Sequence, residues 1–103
     1  MRGSIVFHDD DAIEQFGHVY IGENIFSNGL FKVGASCDVN ERVRCLKLQD
    51  VSMSPPIHRK QLAFVEYAVH KRLKQYRQRV GREWYRFPSD VIEEIRDYIT
   101  GVG

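Results

Sequence analysis

The sequence predicts an α+β fold, a small three-stranded antiparallel sheet flanked by helices. Three observations carry this. Two alternating runs, His18-Val19-Tyr20-Ile21 and Leu30-Phe31-Lys32-Val33, are separated by a segment containing Asn28-Gly29, a strong hairpin turn signal. Apolar residues recur at helical spacing in three later segments. An aromatic run, Glu83-Trp84-Tyr85-Arg86-Phe87, is stopped by Pro88 and reads as a third strand.

The elements follow in order. Residues 1–16 are mixed and read as an N-terminal arm: Ile5-Val6-Phe7 could form a short strand, and the Asp9-Asp10-Asp11 run favours a loop. The domain proper runs from 17 to 103 and begins with the hairpin. Asp38 can cap a helix, with Glu41 three residues on completing a capping-box pattern. Val39, Val43 and Leu46 then share one face, with Arg42 beside it. Pro55-Pro56 cannot continue a helix, so 52–58 reads as a surface loop. A second helix is expected from Lys60 to Tyr76, with Leu62, Val65, Val69 and Leu73 as its buried stripe. After Pro88, Ser89 or Asp90 caps a last helix that buries Val91, Ile92, Ile95, Tyr98 and Ile99.

Composition narrows the function. The chain has 103 residues and a formal net charge of +1, which suits one ordinary domain and not a polycation. The charge is unevenly placed. Arg59, Lys60, Lys71, Arg72, Lys74, Arg77, Arg79 and Arg82 face a single carboxylate, Glu66. That segment is a candidate phosphate footprint, or else a solvated helix face. Cys37 and Cys45 form no disulfide framework and no zinc-type cluster. No run is long and apolar enough for a signal peptide or a membrane span. The expectation is a soluble, intracellular protein of cytoplasm or nucleus.

Read together, Gly17-His18-Val19-Tyr20-Ile21, Phe31-Lys32-Val33-Gly34 and Arg42 resemble the signature of the GIY-YIG nucleases. Glu66, in Phe64-Val65-Glu66, fits that family's later metal-binding glutamate. Gly81-Arg82-Glu83-Trp84-Tyr85 is similar to the closing strand of its phage- and large-virus-associated branch, the Orf172-type DNA-binding domain. The sequence departs from the signature in two places: His18 precedes Val19-Tyr20, and Lys32 stands where the second tyrosine of the family belongs. That branch commonly carries this lysine.

The resemblance implies a metal-dependent endonuclease cleaving DNA phosphodiester bonds, or a DNA-binding module of the same fold with little cleavage. It implies Mg²⁺ or Mn²⁺ on Glu66, a hard cation on a carboxylate. Arg42 would hold the scissile phosphate through its planar fork of donors. Tyr20 would hydrogen-bond the attacking water or serve as its base. Lys32 would place charge beside the phosphate and help Tyr20 deprotonate, and His70, one turn after Glu66, would orient it or donate a proton. Ordinary structural roles exist for each: a core tyrosine, an edge lysine, an exposed helix arginine and a surface Glu–His pair. Arg42, Arg59, Lys60, Lys71, Lys74 and Arg77 are the candidate contacts to DNA, with RNA as the other nucleic acid of matching charge. A homodimer or an accessory protein is the expected source of sequence reading.

Overall fold

The computed structural model describes residues 15–76, 81 and 83–102. Its architecture is α+β, with helices packed on both faces of one antiparallel sheet. Strand β1 (Phe16–Asn24) pairs with β2 (Leu30–Ser36), bringing His18 opposite Ser36 and Glu23 opposite Phe31. The turn between them requires its glycine: Gly29 has φ +81°, a region that side-chain-bearing residues avoid. The Gly29 N–H donates to Glu23 Oε2 at 2.8 Å, tying the turn to the strand it leaves.

Helix α1 (Val39–Leu46) begins as the sequence predicts. The Asp38 side chain accepts from the Glu41 N–H at 3.1 Å. The Glu41 carboxylate does not close the reciprocal half of the box; it pairs with Arg44 one turn along the helix. Lys47, at φ 58°, reverses the chain in the left-handed region. Strand β3 (Leu48–Met53) then runs back along β1, and β4 (Ile57–His58) pairs with Phe16 and Gly17. The sheet therefore has five strands where the sequence indicated three, in the order β3-β1-β2-β5, where β5 is the closing strand Trp84–Arg86, with β4 also on β1. Residues 48–53 alternate too weakly to reveal a strand. Their pairing with β1 supplies what local pattern lacks. Ser54 extends it: its N–H donates to the Val19 carbonyl at 2.8 Å and its hydroxyl accepts from the Val19 N–H at 3.0 Å.

Helix α2 (Arg59–Leu73) is capped by the His58 ring, which accepts from the Lys60 N–H, and continues as a 3₁₀ turn to Tyr76. The closing strand β5 (Trp84–Arg86) pairs with β2, Lys32 opposite Trp84. A 3₁₀ turn over Ser89–Val91 leads into α3 (Ile92–Thr100). Neither Ser89 nor Asp90 caps α3 through its side chain, because the 3₁₀ turn intervenes.

Alternation along β1 and β2 splits the interior in two. Val19, Ile21, Phe31 and Val33 point to the larger core, closed by Leu62, Val69 and Leu73 of α2 and by Ile95 and Ile99 of α3. Tyr20 points to the opposite face, in a smaller cluster with Val39 and Leu48. Arg96 secures α3 to β3 by donating to the Ser52 hydroxyl and the Asp50 carbonyl. No helix among the described residues is long and apolar enough to cross a membrane, and Cys37 and Cys45 are free thiols.

Candidate metal and phosphate site

Pairing of β1 with β2 sets Tyr20 opposite Gly34 and Gly22 opposite Lys32. Directly opposed residues in an antiparallel pair share a face, so Tyr20 and Lys32 lie on one side of the sheet, two residues apart in register. The glycine in the second motif has a steric reason. A Cβ on Gly34 would stand 2.8 Å from the Tyr20 hydroxyl and 3.4 Å from Glu83 Oε1. The phenol therefore lies across the bare Gly34 backbone, with the Glu83 carboxylate at its end.

The Tyr20 side chain is 1 % exposed. Burial raises its phenol pKa above the ordinary value; a hydrogen bond and the charge of Arg42 oppose this, while the charges of Glu83 and Glu66 add to it. Tyr20, Arg42, Glu66 and Glu83 thus share one electrostatic neighbourhood. The sequence reading gave Tyr20 a contact with attacking water. The hydroxyl itself meets Arg42 and the Gly34–Glu83 edge. Arg42 is exposed on α1.

Lys32 is 8 % exposed, and its Nζ sits 2.6 Å from Glu83 Oε1. The ammonium also lies 5.5 Å from the centre of the Trp84 ring. Its charge is paired with Glu83. Burial pushes the Glu83 carboxyl up, but the bond and charge of Lys32 outweigh this, helped by His70 and by a hydrogen bond with Glu66, and the net shift is downward. Glu83 is therefore ionised at neutral pH.

Glu66 and His70 stand one helical turn apart on the flank of α2, with His70 Nε2 3.6 Å from Glu66 Oε2. The other ring nitrogen, Nδ1, is 2.5 Å from the Tyr85 hydroxyl. The two rings stack at 5.7 Å, and Tyr85 stacks in turn on Phe87. These contacts fix the imidazole plane. Among the described residues, the buried Nε2 has no hydrogen-bond partner. In the neutral tautomer that carries its proton on Nδ1, Nε2 has a bare lone pair on the side of the two carboxylates. Glu66, His70 and Glu83 each offer one ligand atom, all within 4.8 Å of one another. A groove of about 300 Å³ opens over them, lined also by Ala63, Tyr67, Lys71 and Lys74.

Glu83 is the member that sequence reasoning missed as a site residue. The pairing of Lys32 with Trp84 brings it in, and a lysine replacing the second motif tyrosine was the available hint of a buried counter-charge. Of the other expected contacts, Lys71 and Lys74 border the groove, whereas Arg59 and Lys60 line a separate hollow with Gln15 and His58. Arg77 lies outside the described residues.

The T5orf172 domain matches residues 17–100, which is most of the chain. The chain belongs to the T5orf172 domain family. This T5orf172 domain starts at Gly17, packed against the Ser36 backbone and Leu62, and ends with α3. The family is phage-associated and related to nuclease and DNA-binding modules. Neither a curated protein nor a solved structure matches the chain significantly.

Proposed function

We propose that this T5orf172 domain is a metal-dependent endonuclease of GIY-YIG type that cleaves DNA. The observation that carries the reading is the convergence of Glu66, His70 and Glu83 beneath a groove edged by Lys71 and Lys74.

The donor set suits a divalent cation: two carboxylates, of which Glu83 is held ionised, and a buried imidazole nitrogen without a partner. Glu66, His70 and Glu83 would hold it. A cation there supplies positive charge to the phosphoryl oxygens of the scissile group. Lys71 and Lys74 attract the DNA backbone to the groove, and the Arg42 guanidinium binds phosphate with directed donors. Tyr20 acts as a positioning residue, its hydroxyl holding Arg42 and its ring resting on Gly34. Lys32 fixes Glu83 at the cluster. Tyr85 fixes the imidazole plane.

Two observations favour a second reading, a DNA-binding module of the same fold. The Tyr20 phenol is covered, and Lys32 already neutralises Glu83. Incubation with supercoiled plasmid and Mg²⁺ or Mn²⁺, with a chelator control, separates the two. Nicking that the chelator abolishes is expected of the nuclease. Binding without nicking under either metal transfers the conclusion to the module.

A further inference from the structure

The outward face of α2 carries a row of side chains that neither the core nor the metal cluster uses. Phe64 and Tyr67 are 71 % and 66 % exposed. Lys60, Lys71 and Lys74 are exposed on the same helix and its 3₁₀ extension. Read in order, Lys60, Phe64, Tyr67, Lys71 and Lys74 follow one another at intervals of four, three, four and three, which places them in one stripe. Tyr67, Lys71 and Lys74 also line the groove over Glu66, so the C-terminal half of the stripe borders the candidate site and Phe64 continues it one turn beyond. Glu66 is the sole acid in α2, and its carboxylate turns toward His70 and Glu83. The stripe itself is aromatic and cationic.

Two large rings held in water between ammonium groups have a specific chemical complement. Single-stranded nucleic acid presents phosphates, which the lysines attract, and unstacked bases, whose faces lie on aromatic rings. A duplex offers the same phosphates but keeps its base faces stacked inside. It would satisfy the lysines and leave Phe64 and Tyr67 unused.

We propose that Phe64 and Tyr67 are stacking platforms for unpaired bases, and that the site takes single-stranded or locally unpaired nucleic acid. This inference rests on the nucleic-acid reading above and adds the class of substrate. Both rings are on the surface, so their replacement leaves the core intact. Fluorescence anisotropy in EDTA, where no cleavage intervenes, would compare a labelled oligonucleotide with the blunt duplex of the same sequence. Wild type should bind the single strand more tightly. Phe64→Ala and Tyr67→Ala should each weaken single-strand binding on the order of ten-fold and change duplex binding by less than about two-fold. Phe64→Tyr and Tyr67→Phe, which keep a ring, should stay near wild type. Unchanged single-strand affinity in the alanine variants, or equal losses on strand and duplex, would overturn the stacking role while leaving nucleic-acid binding in place. A wild type that binds neither probe would overturn the broader reading as well. Sedimentation showing a dimer that Phe64→Ala dissolves would assign the stripe to a second copy of the chain and refute the proposal.

Discussion

Gly34→Ala probes the contact around which the smaller side of the sheet is arranged. The new methyl carbon would lie 2.8 Å from the Tyr20 hydroxyl and 3.1 Å from the ring carbon that bears it. Both atoms belong to a ring packed with Val39 and Leu48, so neither can retreat freely. Overpacking of this kind costs roughly 1–3 kcal/mol. Against it stands a gain of about 0.5–1 kcal/mol, because alanine has less backbone freedom to lose than a glycine inside a strand. The difference spans about 0–2.5 kcal/mol, and because the ring is held in place the clash should win, with a net loss of about 1 kcal/mol or a fall in Tm of roughly 4–8 °C. Urea denaturation followed by Trp84, the single tryptophan, reads this directly, since Trp84 packs on the same cluster. Tyr20→Phe removes the nearest clashing atom, so Gly34→Ala should cost less in that background. The difference between the two costs is the coupling energy. A Gly34→Ala protein as stable as wild type, or one penalised equally with and without the hydroxyl, would show that the phenol does not rest on Gly34.

Glu66→Gln keeps the side-chain shape but removes a ligand charge; cleavage should fall by at least about a hundred-fold, while DNA binding in EDTA persists or tightens because a negative charge leaves a basic face. Arg42→Ala should weaken both, and equal cleavage by wild type and Glu66→Gln would remove Glu66 from the metal site. Asp38→Ala deletes the cap of the helix that carries Arg42 and should cost about 1 kcal/mol, read as a lower urea midpoint; no change would mean that the bond to the Glu41 N–H adds nothing. The Tyr20 phenol titrates above its ordinary value of 10.0 in the folded chain. Its contribution to stability is therefore whole below about pH 10 and is lost as pH rises through the folded value. Relative to Tyr20→Phe, wild type should lose stability between pH 9 and 11 on the order of the phenol's ordinary range; a relative gain there would mean that Arg42 outweighs burial.

The sequence by itself determined whatever depends on neighbours a few residues away. Asn28-Gly29 specified a hairpin because one residue there must take a positive φ. Asp38 specified a helix start because its carboxylate reaches a free N–H three residues on. The stripes Leu62–Leu73 and Ile95–Ile99 were legible because burial repeats with the helical turn. Tyr20 and Lys32 could be placed on one sheet face because the hairpin sets their register. Tertiary structure alone decided the rest. Strand β3 exists because β1 offers it a partner, at the cost of left-handed conformations at Lys47 and Asp50. Glu83 joins Glu66 and His70 because β5 closes on β2, bringing together residues that are distant in sequence. Whether an aromatic ring is buried or left in water also depends on which faces find a cover. Tyr20 lies under α1 and β3, while Phe64 and Tyr67, on the side of α2 turned from the core, remain exposed.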